Sequence, residues 1–252
     1  MPEVEWVNLK ARDIRALQEK DAIAIIPIGS IEQHGPHLPV QVDTLLAGEV
    51  ARRTARLLVE HAPVIVLPTI WSGLAEHHMS LGGTLTLDLR TFLDLVRGIV
   101  RSVVRNGFKR ILLLNGHGGN MTALNALVGE LGAEMALPIA LATYWIPPQK
   151  KFAEILDEQP SVAHACEAET SMLLALRPDL VDMARLDHID PPREWAGGSS
   201  DIYVWQSVAD WSPSGVAGMP KAATAGKGER LLQAAAEALA SRLRDDAMWS
   251  RR

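Results

Sequence analysis

Cysteine is almost absent: the chain of 252 residues has one, Cys166. An internal disulfide framework is therefore excluded, and so are CxxC zinc and redox motifs. An excess of basic charge is missing too. Lys and Arg total 25 against 30 Asp and Glu, a net charge of −5 with pI near 5.9. That balance gives no support for nucleic acid or an anionic membrane as the main partner. No run approaches the ~20 apolar residues of a membrane span. The most apolar long stretch, 135–148, is broken by Thr143 and by prolines. The opening MPEVEWVNLKARD lacks a basic-then-apolar signal layout. The expected setting is a soluble protein of the cytoplasm. No repeat, low-complexity tract or linker divides the chain, so residues 1–252 read as one domain.

What is present is an alternation of short apolar runs with amphipathic stretches. AIAIIPI (22–28), PVIVLPT (63–69), RILLL (110–114) and PIALAT (138–143) read as strands buried on both faces of a parallel sheet. Pro27 sits awkwardly in the first, because proline cannot donate to a ladder. Helical spacing covers 9–20, 44–60, 91–106, 121–131, 170–176 and 229–244, and Asn106-Gly107 forms a stop signal. Strand, polar loop and helix in repetition predict an α/β fold: a three-layer α/β/α sandwich with a mostly parallel central sheet. Ligands of such sheets sit beyond the carboxyl ends of the strands.

The loops at those ends are rich in metal-type side chains. One holds Glu32, His34, His37 and Asp43; a second, Glu76, His77 and His78; a third, His117 within NGHGGN (115–120); another, His164, Glu167 and Glu169. Six of the eight histidines fall in these loops, and only His61 and His188 lie outside. Imidazole and carboxylate without thiolate suit zinc, manganese or iron. Two carboxylate-rich loops could hold two ions bridged by one Asp, a site that makes hydroxide at neutral pH and clamps an oxyanion.

Each motif has a plainer reading. Glu32 and His34 share one side of an extended segment and could be a surface loop. Asp43 precedes a helix, where it would cap. NGHGGN could be an anion loop at a helix N-terminus. His164 and Glu167, three apart, face one site if their helix starts early, leaving Glu169 as a cap. Glu76, His77 and His78 could be solvated or form a substrate wall. Cys166 reads as a buried small residue rather than a nucleophile. Trp195, Tyr203, Trp205 and Trp211 could be pocket wall, subunit contact or core.

Three segments together carry a resemblance: GSIEQHGPHLPVQVDTLLA (29–47), NGHGGN (115–120) and HACEAETSMLLALRPDLV (164–181). In order and spacing they resemble the creatininase (creatinine amidohydrolase) family from about residue 5 to residue 245. The resemblance implies an α/β/α sandwich with two divalent metal ions, zinc first and manganese or iron next. It implies hydrolysis of a non-peptide C–N bond, in a cyclic amide or formamide, by a metal-bridging hydroxide. Carried over by position, Glu32, Asp43 and His117 would hold one metal, and His34 with the shared Asp43 the other. His164 matches the catalytic histidine. Creatininase itself has a glutamate where this chain has Gly119, so Glu167 is expected to supply that carboxylate, with Glu169 as the other candidate.

The substrate side would comprise His78, the Gly118 backbone and Trp145, which matches a pocket aromatic of the family. The covering tryptophan before the catalytic histidine is absent, 159–163 being QPSVA. AEHHMSLGGT resembles the family's EHMGFPGT loop, with Gly82 in place of proline. These departures argue against creatinine and for another small-molecule substrate. A deformylase or lactam hydrolase acting on a cofactor-precursor intermediate is the nearest alternative. A non-hydrolytic phosphate- or nucleotide-binding domain is a remote one, and a catalytically dead subunit another. The resemblance also suggests a homo-oligomer such as a hexamer, while the charge balance leaves neither nucleic acid nor membrane as an expected partner.

Overall fold

The computed structural model describes residues 2–189 and 204–250. Strands β1 (Ile23–Ile28), β2 (Val64–Val66), β3 (Arg110–Asn115) and β4 (Ile139–Thr143) form one sheet in the order β2-β1-β3-β4. Every pairing is parallel. The strand expected over 63–69 is shorter, because Pro68 cannot extend the ladder. Pro27 in the inner strand is harmless. Its carbonyl accepts from Ile70 N at 2.9 Å, so its missing N–H faces the same edge, beyond the end of β2.

Side chains alternate across the sheet, as a two-residue period requires. Ile23, Ile25, Leu112 and Leu114 pack toward α2 (Val42–Leu58), α5 (Gln149–Ile155), α6 (Glu167–Leu176) and α8 (Ala225–Leu243). Ala24, Ile26, Ile111 and Leu113 pack toward α1 (Ala11–Glu19), α3 (Leu89–Arg105) and α4 (Met121–Met135). The result is the three-layer sandwich read from the sequence. In α3 the buried Phe92, Val96, Val100 and Val103 form one stripe, and Asp88 caps the helix by accepting from Thr91 N at 3.0 Å. Gly107 ends that helix region at φ +90°, a conformation natural to glycine. Among the described residues, no helix is long and apolar enough to cross a membrane.

Two helix starts differ from the sequence reading. α2 begins at Val42, itself buried, which places Asp43 inside the first turn rather than at the cap. α6 begins at Glu167, earlier than residue 170. Of the four aromatics noted above, Trp195 and Tyr203 lie outside the described residues. Trp211 is half-buried in the short α7 (Val208–Trp211), and Trp205 is 56% exposed.

α6 and α8 cross closely at Gly228, where a Cβ would fall against the Ser171 carbonyl. Both backbones are in helices and cannot yield locally. Gly228→Ala is therefore expected to destabilise by about 1–3 kcal/mol through overpacking. Thermal unfolding checks this, with the midpoint falling by roughly 2–4 °C per kcal/mol.

The sheet places chemistry at one edge. Strand order reverses between β1 and β3, and the crevice beyond their carboxyl ends is the usual ligand position. Glu32 and His34 follow β1, and His117 follows β3.

Candidate metal centre

Glu32, His34, Asp43, His117 and Glu169 converge in that crevice, each no more than 4% exposed. His117 Nδ1 lies 3.0 Å from Glu32 Oε2 and 3.1 Å from Asp43 Oδ2. His34 Nε2 lies 3.3 Å from Asp43 Oδ1 and 3.9 Å from Glu169 Oε1. Two overlapping groups result, Glu32/Asp43/His117 and His34/Asp43/Glu169, each with donor atoms within 4.8 Å of one another. Asp43 belongs to both. A third group, Glu32/His34/His164, meets the same spacing.

These atoms approach one another without bonding. Glu32 Oε2, Asp43 Oδ2 and His34 Nε2 are buried and have no hydrogen-bond partner. Orphaned buried polar atoms are costly, and three of them meeting from the loop after β1 and the first turn of α2 fit a divalent cation. The histidine tautomers fit too. His34 Nδ1 is 3.1 Å from the Glu32 carbonyl, and His117 Nε2 is 3.0 Å from the Leu74 carbonyl. A carbonyl only accepts, so each of those nitrogens carries the hydrogen. The opposite nitrogens face the cluster, where a bound cation would take the place of their proton. A backbone carbonyl holding a ligand imidazole in this way is the common outer support of metal sites.

The asparagines of NGHGGN hold the His117 loop in place. Asn115 Nδ2 donates to the His117 carbonyl at 2.7 Å, and its Oδ1 accepts from His117 N at 3.2 Å. Asn120 Nδ2 reaches the Gly29 carbonyl at 3.1 Å, and its Oδ1 accepts from Leu74 N at 2.9 Å. Both asparagines are spent on holding the loop. A Cβ on Gly119 would strike the Leu74 carbonyl and His117 Nε2, so no larger residue fits there.

Electrostatics follow from the buried carboxylates. Burial opposes protonation of His34, but Asp43 and Glu169 outweigh it and raise its basicity well above the ordinary value. For His117, Glu32 and Asp43 overcome burial in the same direction. Burial, then neighbouring His34, His78 and His117, hold His164 well below the usual range. Burial raises the Glu169 carboxyl.

One sequence expectation is corrected. Glu167 is fully buried but points away from the cluster, with Oε1 2.6 Å from Lys227 Nζ. The carboxylate in the cluster is Glu169. Its Oε2 caps α6 by accepting from Cys166 N at 3.4 Å, while Oε1 faces His34. The expected pairing of His164 with Glu167 assumed a helix through both. Instead Ala165 has φ +51° and Cys166 is extended, so helical spacing starts only at Glu167. Residues 167 and 169 stand about 200° apart around a helix, and only the second faces the site.

The other residues fall as follows. His78 is buried, with Nε2 3.2 Å from Glu32 Oε1, and it also lines a cavity of about 250 Å³ shared with Gly118, Trp145 and His164. His77 is half-buried and lines the same cavity, whereas Glu76 is exposed. His37 is buried outside the cluster, Nε2 2.9 Å from Thr170 Oγ1. Cys166 is fully buried and its thiol is pushed up to about 12 by burial, fitting a core residue.

Gln33 was not singled out from the sequence, yet it ties two imidazoles together. Its Nε2 lies 2.8 Å from His78 Nδ1, and its carbonyl accepts from His164 Nε2 at 2.7 Å. Its place between Glu32 and His34 was the available signal. The same carbonyl fixes His164 with Nδ1 unprotonated, 3.5 Å from Glu32 Oε1.

Fold and donor cluster are those of a metal-binding hydrolase, and comparison with known proteins agrees. The model of the family described as creatininase, creatinine amidohydrolase, matches residues 7–243. Creatinine amidohydrolase of Pseudomonas putida is 29% identical over 97% of this chain and 95% of its own length. A mycofactocin precursor peptide peptidase of Mycobacterium tuberculosis is 34% identical over 83% of this chain and 80% of its own. A 2-amino-5-formylamino-6-ribosylaminopyrimidin-4(3H)-one 5'-monophosphate deformylase of Methanothermobacter thermautotrophicus is 30% identical, covering 73% and 70%.

Among solved structures, a Bacteroides fragilis protein assigned as a creatinine amidohydrolase matches with TM-score 0.86 at 26% identity, over 100% of this chain and 99% of that one. A creatininase of Zn–Zn type matches with TM-score 0.78 at 25% identity, over 97% and 98%. The protein is thus of the class of hydrolases that act on carbon–nitrogen bonds. It belongs to the creatininase family.

Proposed function

We propose that the chain hydrolyses the amide bond of a small molecule, a cyclic amide or formamide, with two divalent cations. The observation that carries this reading is the pair of donor groups sharing Asp43, with buried atoms that lack any other partner. Glu32, Asp43 and His117 would hold one ion, and His34, Asp43 and Glu169 the other. An all-nitrogen-and-oxygen donor set favours zinc, with manganese or iron as alternatives. When bound, the ions would supply Lewis acidity, polarising a carbonyl and making hydroxide available near neutral pH.

The remaining work falls to this chain's own groups. His78 Nε2 lies 3.2 Å from Glu32 Oε1, so its ring stands against that carboxylate. Gly118 and Gly119 line the cavity in the turn that leads into α4, and backbone N–H groups at such a turn suit a developing oxyanion. His164 Nδ1, opposite the Nε2 bonded to the Gln33 carbonyl, would take the proton that the attacking water gives up and pass it to the leaving nitrogen. Trp145, packed edge-on against Tyr144 with centroids 4.9 Å apart, provides a flat apolar wall.

A specific observation favours the deformylase or lactam hydrolase reading over creatinine. A wider hollow of about 1080 Å³ adjoins the cavity across His77, Gly118 and Gly119, leaving room for a large substituent on the amide. The deformylase relative supports it. A homo-oligomer, hexameric by family resemblance, would give cover to exposed apolar side chains such as Trp71 and Leu85.

The test is elemental analysis of protein purified without added metal, with a screen of cyclic amides, lactams and formamides before and after chelation. About two ions per chain, and turnover abolished by chelator and restored by Zn²⁺ or Mn²⁺, are expected. Chelator-insensitive turnover would overturn the proposal.

A further inference from the structure

Glu167 is a buried carboxylate with no place in the donor cluster, and its contacts indicate another task. Its Oε1 and Oε2 lie 3.1 and 3.3 Å from Asp157 N, and Oε2 lies 3.0 Å from Glu158 N. Lys227 Nζ, from the first turn of α8, donates to Glu167 Oε1 at 2.6 Å, Asp157 Oδ2 at 2.6 Å and the Ala222 carbonyl at 2.7 Å. An ammonium has three hydrogens, and all three are used. The residues just after α5 are thereby fastened to the start of α6. The segment 157–166 leaves and returns to one point.

The middle of that loop is part of the proposed site. Val162, Ala163 and His164 line the cavity. Ala165 holds a left-handed conformation at φ +51°, which a non-glycine residue keeps only where its surroundings enforce it. Lesser ties help: Gln159 Oε1 accepts from Met219 N at 3.2 Å, and the His164 carbonyl accepts from Ala217 N at 2.8 Å. Among the described residues, the Glu167–Lys227 pair is what closes the loop at its base.

We infer that Glu167 and Lys227 are positioning residues, a latch that closes loop 157–166 and so sets His164 and the Val162–Ala163 wall against the donor cluster. The inference rests on the proposed role of His164. It has its own observable, the protection of the loop amides, which does not depend on that role.

The experiment compares wild type with Glu167→Gln, Lys227→Met and the conservative Lys227→Arg. Bound metal per chain is measured, together with hydrogen exchange of the peptide covering 157–166. Turnover is measured on whichever amide of the screen the wild type hydrolyses. Glu167→Gln and Lys227→Met are expected to keep the metal content of the wild type. Their loop amides should exchange about tenfold faster or more, as befits weakened bonds to a charged acceptor. Their kcat should fall about 10- to 100-fold with less change in KM, and Lys227→Arg should recover most of it.

Loss of an ion from Glu167→Gln would restore Glu167 as a ligand and overturn the inference. Unchanged exchange in the loop would overturn it too, as would acceleration spread evenly over the chain. If the wild type itself binds no metal, the functional reading fails, while the exchange result still decides the latch.

Discussion

Asp43→Asn is expected to leave the purified protein with less than one bound ion per chain and to lower amide turnover by about 1000-fold or more, the scale of several kcal/mol of Lewis-acid stabilisation. Asp43 is the only residue common to the Glu32/Asp43/His117 and His34/Asp43/Glu169 groups. The amide keeps the shape of the carboxylate but replaces one acceptor oxygen with a donor. It would therefore face His34 Nε2 and His117 Nδ1 with one oxygen instead of two, and without charge. The fold should survive, because Asp43 sits in the first turn of α2 without capping it. Elemental analysis and a thermal scan of the metal-free variant check both halves. Two tightly held ions in Asp43→Asn would refute the shared-ligand arrangement.

The second large effect is expected at His164. His164→Ala should retain its ions and lose about 10²–10⁴ in kcat, the usual contribution of a positioned acid–base group. The geometric reason is the Gln33 carbonyl, which takes the Nε2 hydrogen and turns the Nδ1 lone pair into the cavity. Two other results would each be decisive. Unchanged turnover would remove His164 from the proton path. Loss of an ion would make it a ligand, as the grouping of Glu32, His34 and His164 permits. Metal analysis beside kinetics separates the three.

Much of this was legible in the residues. Continuous apolar runs marked all four strands, because both faces of a parallel sheet are covered. Glu32 and His34 reached one site because alternate residues of an extended segment share a side, and the resemblance put Asp43 and His117 with them. What remained hidden was local backbone geometry. The spacing of His164 and Glu167 suggested one helical face, but the chain there turns through Ala165 at φ +51° and starts its helix two residues later. The role of Gln33 was hidden for a similar reason. It depends on a contact with His78, 45 residues away, that no local pattern encodes.

The sequence by itself determined the parallel α/β sandwich, the family and the loops that hold the donors, since periodicity and local motifs act over a few residues. Only the tertiary structure decided which of Glu167 and Glu169 faces the donor cluster. That choice depends on the phase of α6 relative to the sheet, and the phase is set by packing against α8 and by Lys227, which lies 60 residues from Glu167. A change of two residues in a helix reverses its facing, so the same EAE run could have offered either carboxylate.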